Sequence, residues 1–255
     1  MVIEFPVDLC YHQKKQEGKI MIGIIGAMKI EIDTINGMVE NKKTEKFGIV
    51  EYTSGKLFGK DVVTAVCGIG KVNAAICAQT MILKYSPDVI INTGVGGSLS
   101  TELQIGDIAV AESLVEHDMD TSPIGDPVGF ISGLGIVNIP ADAKTVDKMI
   151  EGIASIEGIK AVKGVIASGD QFIADPAVKD RIVGSFGAIA CEMEGASIGH
   201  VCYASGVPFA VVRAVSDCAD GSSHMDYPTF LPIAADNAAK LIEYFRIRSN
   251  QYLCV

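Results

Sequence analysis

The chain has 255 residues, 49% of them hydrophobic and 20% charged, which is the composition of a packed globular protein and excludes a disordered one. Its formal charge of −10 sets net repulsion against nucleic acid or an anionic membrane surface, and no apolar run reaches the roughly 18 residues of a membrane span. Seven cysteines, an odd number without C-x-x-C spacing and mostly inside apolar runs, predict reduced thiols in a cytoplasmic protein.

Residues 1–19 lack the order of a signal peptide and are expected to form a disordered tail, or to be upstream residues before a natural start at Met21, ahead of a single domain over 20–249. The run IMIGIIG (20–26) is apolar, β-branched and closed by glycine, so it predicts a buried strand. A short helix follows over 28–38. Residues 49–68 alternate and predict a hairpin turning on Ser-Gly and Gly-Lys pairs. A helix over 71–85 should stop at Ser86-Pro87. Residues 88–94 predict a second buried strand, entering a flexible glycine loop, Val-Gly-Gly-Ser, at 95–98.

A strand over 106–118 precedes a stretch, 119–140, rich in Gly and Pro and without period, which predicts a functional or interface loop. Then come a helix (142–155), a strand (161–168), a short helix (176–184), a strand (188–192), a helix (194–205), a strand (208–215) and a helix (230–247). This alternation predicts an α/β fold: one three-layer domain with a central mixed sheet flanked by helices. Ligand sites in such sheets lie off the strand ends.

Five strand ends carry residues suited to chemistry: GAMKIE (26–31), NTGVGGS (92–98), SGDQFI (168–173), CEMEGAS (191–197) and RAVSDCAD (213–220). Each has a plain alternative. Glu31 could be a solvated helix residue, Glu192 or Glu194 a helix cap, and Asp217 an N-cap. The segment HDMD (117–120) lacks a partner histidine for a metal, and His200 and His224 fit structural roles. No metal and no cofactor are expected.

In this order and at these separations, the segments resemble the bacterial 5′-methylthioadenosine/S-adenosylhomocysteine nucleosidases, from about residue 21 to 247. The EMEG and VSD segments also occur across the wider nucleoside phosphorylase superfamily. The resemblance implies a nucleoside phosphorylase-like fold. It also implies hydrolysis of the N-glycosidic bond of 5′-methylthioadenosine and S-adenosylhomocysteine, which releases adenine and the 5-thio-ribose product in methionine salvage. It implies a homodimer as well, with loop 119–140 near the partner's 5′ pocket.

Residue by residue, the resemblance implies that Glu31 activates water and that Asp217 protonates adenine N7, an acid step supplying roughly 10²–10⁴ in rate. Glu194 would bind the ribose hydroxyls and stabilise the oxocarbenium-like transition state. Met193 would lie against the sugar, with Glu192 and Gly97 also in the substrate site. Phe172 would stack on adenine while the backbone of Ile173 pairs with the purine edge. Met28, Ile69, Tyr227 and Phe230 would line the alkylthio side, and Arg213 and Ser216 would support the water and Asp217.

Two positions depart from the family. A single acid, Glu31, stands where three often follow GAM, and Val95 replaces a frequent serine. Three rival readings remain. A phosphorylase needs cationic phosphate ligands, where this chain has Lys29, Glu31 and Asn92. A nucleoside-binding protein would need neither acid nor base, and an oxidoreductase would rest on GIIGAM alone.

Overall fold

The computed structural model describes residues 20–154, 156, 158–219, 229 and 232. The expected tail (1–19), the last helix (230–247), Tyr227 and Phe230 lie outside the described residues.

The chain opens with β1 (Met21–Gly26) and α1 (Lys29–Met38), then a three-stranded run of β2 (Glu40–Phe47), β3 (Val50–Leu57) and β4 (Lys60–Val66). Helix α2 (Lys71–Tyr85) leads to β5 (Val89–Ser98) and β6 (Ile108–Glu116). After a 3-10 turn at Ser122–Ile124 come β7 (Ile139–Pro140), α3 (Ala143–Ile153), β8 (Ala161–Ser168) and α4 (Pro176–Phe186). The described part closes with β9 (Ala188–Glu192), α5 (Gly195–Ala204) and β10 (Phe209–Asp217).

The strands form one mixed sheet in the order β10-β6-β8-β9-β5-β1-β4-β3-β2, and β10 also pairs with β5. That extra pairing closes β5, β10, β6, β8 and β9 into a ring, from which β1, β4, β3 and β2 extend as an open sheet. Strands β1, β5 and β10 are parallel, while β6 runs against β10 and β9 against β5.

Apolar runs arise because both sheet faces are covered. Ile25, Val63, Ile90 and Val211 pack with α2 and α5. Their neighbours Ile24, Val62, Ile91 and Val212 pack with α1 and α3 on the other face. A third cluster sets Ile173 and Ile182 against Val115, Ala167 and Cys191. Local signals bound the helices: Ser86 takes φ +48° before Pro87 where α2 stops, and Asp142 Oδ1 caps the start of α3 by accepting from the Thr145 amide at 2.8 Å.

Two expectations need correction, and one strand is additional. The glycines at 94, 96 and 97 lie within β5, whose ten residues are all buried, so 95–98 is not a flexible loop. The hairpin turns at Phe58-Gly59, both at positive φ, while Ser54 and Gly55 stay inside β3. Strand β2 was not anticipated, because ENKKTEKF has no apolar alternation. It is the outer strand of the open sheet, where charge guards an edge rather than facing a core.

Candidate active site

Glu31 sits in the first turn of α1, and its side chain folds back over the end of β1. Oε2 accepts from the Ala27 and Met28 amides at 2.7 and 2.9 Å. Oε1 accepts from the Val95 amide of β5 at 3.1 Å. The carboxylate is buried, at 3% exposure, and burial pushes its pKa up against the opposing pull of Arg213 and these three amides. The Val95 side chain has no hydroxyl, and it is the backbone amide that orients Glu31. Gly94 leaves the room: a Cβ there would lie 2.6 Å from Glu31 Oε1.

Arg213 faces Gly94 from β10 and is fully buried. Its Nη1 donates to the Val212 carbonyl at 2.9 Å, and its Nη2 donates to Asn92 Oδ1 at 2.6 Å and to Glu192 Oε2. Glu194 Oε2 stands 3.9 Å from the same Nη2. Arg213 therefore turns toward the glutamates, whereas Ser216 is the side chain that contacts Asp217.

The two glutamates of EMEG differ in role because the chain turns from β9 into α5 between them. Glu192 accepts from the Glu194 and Gly195 amides at 2.9 and 2.8 Å, from Ser168 Oγ, and from Arg213. Burial opposes its charge, but Arg213, Ser168 and the two amides hold it below the ordinary carboxylate value. Both its oxygens are engaged, so it acts as a cap for α5 and a counter-ion for Arg213. Glu194 accepts from the Gly70 amide at 2.8 Å. Burial, and then the charge of Glu192, push its pKa up to about 7, with Arg213 and the Gly70 amide opposing. Met193, between them, is half-buried.

Asp217 ends β10 beside Gly97, its register partner. Oδ2 lies 3.0 Å from Ser216 Oγ and Oδ1 accepts from the Ala219 amide at 3.0 Å. The side chain is buried at 2% exposure. A Cβ on Gly97 would stand 3.0 Å from Oδ1. Lys179 of α4 fixes the exit by donating to the Cys218 and Ser98 carbonyls at 2.7 and 3.2 Å.

The turn after β8 carries Phe172, 52% exposed, and Ile173, buried. It is tied to its surroundings by the Gly169 amide, which donates to the Glu192 carbonyl at 3.2 Å. Met28 is half-buried and Ile69 is exposed. Buried carboxyls that differ in partners, beside an exposed ring, suit acid and base work on a ring-bearing substrate.

Sequence reading gave no role in the site to Gly70, Asn92 and Ser168, whose groups hydrogen-bond to Glu194, Arg213 and Glu192. Asn92 and Ser168 open the segments NTGVGGS and SGDQFI, and the signal for Gly70 was Gly68-Ile69-Gly70-Lys71 between a strand and a helix.

The phosphorylase superfamily description matches residues 21–245. The 5′-methylthioadenosine/S-adenosylhomocysteine nucleosidase of Shewanella halifaxensis is 40% identical over 222 residues, 87% of this chain and 96% of that protein. The crystal structure of the nucleosidase of that name from Neisseria meningitidis, in complex with methylthio-immucillin-A, aligns with a TM-score of 0.86 at 33% identity, covering 90% of this chain and 99% of that one. The futalosine hydrolase of Helicobacter pylori aligns with a TM-score of 0.84 at 35% identity, covering 90% and 98%.

Proposed function

The chain belongs to the 5′-methylthioadenosine/S-adenosylhomocysteine nucleosidases of the phosphorylase superfamily, and from that premise we propose a division of labour among its buried carboxyls. The protein hydrolyses the N-glycosidic bond of methylthioadenosine and S-adenosylhomocysteine. Asp217 gives its proton to adenine N7, so that the base leaves neutral as the C1′–N bond breaks. Glu31 accepts a proton from the water whose oxygen bonds to C1′. Glu194 binds the ribose hydroxyls, and its negative charge favours the oxocarbenium-like transition state. Met193 lies against the sugar, Phe172 stacks on adenine, and the Ile173 backbone meets the purine edge. Met28 and Ile69, with Tyr227 and Phe230, take the alkylthio side.

The observation that carries this reading is Glu31: a buried carboxylate aimed by three amides, where a phosphorylase would need a cation. Lys29 does not alter this, since its ammonium is 81% exposed and lies 4.0 Å from Asp33. Arg213 is already bound to Glu192 and Asn92. The reading includes a cytoplasmic homodimer in which residues 20–249 act as one unit. An unbroken family match over 21–245 supports the single unit. Free thiols at Cys67, Cys77, Cys191, Cys202 and Cys218 support a reducing compartment.

Adenine release is measured in phosphate-free buffer, for the parent and for Asp217→Asn and Glu31→Gln. The parent should yield free sugar at full rate. The variants should lose roughly 10²–10⁴ in turnover while still binding nucleoside. A strict phosphate requirement with a sugar-1-phosphate product would overturn hydrolysis. Near-parental turnover of Asp217→Asn would return Asp217 to the role of a turn cap.

A further inference from the structure

The Gly68–Lys71 turn is held by a charge cluster that none of these roles uses. Lys71 Nζ donates to Asp118 Oδ1 at 2.6 Å and to Glu116 Oε2 at 3.2 Å. Asp118 Oδ2 accepts from the Asp170 amide at 2.8 Å, and Asp170 Oδ1 accepts from the Lys71 amide at 2.8 Å. Lys71, Asp118 and Asp170 thus form a closed ring of hydrogen bonds that joins α2 to the segments leaving β6 and β8. Ser197 Oγ adds a donor to the Lys71 carbonyl at 2.6 Å, and His200 Nδ1 meets Glu116 Oε1 at 2.9 Å.

These charges are mostly enclosed, with side-chain exposures of 19% for Lys71, 12% for Glu116 and 17% for Asp118. Salt screens such a cluster less than a surface pair, and its geometry is dictated by several bonds at once. The residue preceding Lys71 is Gly70, at φ +98°, whose amide donates to Glu194. The turn has little freedom there, since a Cβ on Gly70 would stand 3.0 Å from Asp170 Oδ1.

We propose that Lys71 is a positioning residue for the sugar: anchored by Glu116 and Asp118, it fixes the turn so that the Gly70 amide holds Glu194 in its ribose-binding orientation. The proposal rests on the reading of Glu194 as the ribose carboxylate. It adds a residue that touches no reacting atom and acts through another side chain. A carboxylate released from its amide samples other rotamers, and the cost falls on sugar binding before it falls on proton transfer at adenine.

The test is a double-mutant cycle of Lys71→Met and Glu194→Ala, read as KM and kcat for methylthioadenosine. Lys71→Met alone should raise KM roughly tenfold with kcat changed less than about threefold. In the Glu194→Ala background the same substitution should change KM less than about twofold, and Lys71→Arg should restore most of the loss. Should Lys71→Met fail to fold, Asp118→Asn repeats the cycle, because it keeps an oxygen for the Asp170 amide while weakening the lysine's anchor. A KM rise of equal size in both backgrounds, or a fall in kcat alone, overturns the proposal. A parental KM for Glu194→Ala alone would instead remove the ribose reading of Glu194.

Discussion

A carboxylate that must accept ribose hydroxyls works best when charged, yet Glu194 is held near neutrality's edge, its pKa pushed up to about 7 by burial and by Glu192. Substrate hydroxyls hydrogen-bond to the charged form and favour it, so binding and deprotonation assist each other. KM should therefore fall as pH rises through about 7 and climb below it, and Glu194→Gln should flatten that limb. A KM independent of pH in the parent, measured between about pH 5.5 and 8.5, would count against Glu194 as the ribose ligand. The stability trend of the free protein has the opposite sense. A raised carboxyl stabilises fully below its ordinary value of 4.5, and that contribution is lost as pH rises through about 7. At this scale the motifs singled out Glu31, Glu194 and Asp217, and all three carboxyls are buried, a property that a solvated helix residue at position 31 would not have. Spacing alone leaves Glu192 and Glu194 equivalent, and the turn from β9 into α5 is what engages one fully with Arg213 and sets the other on Gly70.

Strand β5 shows how an element can be misread from composition. Val-Gly-Gly suggests a mobile loop, yet these residues are paired with β10 and β9 and entirely buried. Glycine is there because side chains from other elements occupy the space above the strand: Glu31 over Gly94, Arg213 beside Gly96, Asp217 over Gly97. Sequence periodicity cannot report such crossings, which are tertiary. Strand β2 was hidden for the converse reason, since an edge strand exposed on both faces has nothing apolar to alternate. Helix α2 and strands β8 and β9, bounded by local turn signals and packed apolar faces, were legible to the residue. If Gly94 serves Glu31, Gly94→Ala should cut kcat by up to roughly a hundredfold, because a displacement of about 1 Å at a catalytic group costs that much. Its melting temperature should fall only modestly, as no positive φ is involved. Gly133→Ala, where nothing lies within 4 Å of the added carbon, is the control and should match the parent. Parental kcat in Gly94→Ala would break the link between that glycine and Glu31.

On the whole molecule, the helices among the described residues pack on the covered sheet, and α2 also carries an apolar stripe on its outer side. Its inner face packs Ala74, Cys77, Ala78, Met81 and Ile82 into the core. Val72, Ile76 and Leu83, four and seven residues apart on the opposite side, are exposed, and Ile69 extends the stripe toward the sugar turn. Apolar residues aligned in this way favour burial against a second copy over single exposure. A stable interface needs about 800 Å² from each partner, and loop 119–140, with Ile124 82% exposed, offers further apolar area. Ile76→Lys tests the arrangement, since a lysine at an exposed site costs the isolated subunit little but would bury an unpaired charge in a dimer. The parent should sediment as a dimer and Ile76→Lys as a monomer at the same concentration, with little change in its circular dichroism. Because the partner's loop is expected beside the 5′ pocket, the monomer should lose affinity for the alkylthio group while Asp217 and Glu31 keep their partners. KM should then rise more than kcat falls. A parent that is monomeric and fully active would leave the stripe without its partner and the 5′ pocket complete within one chain.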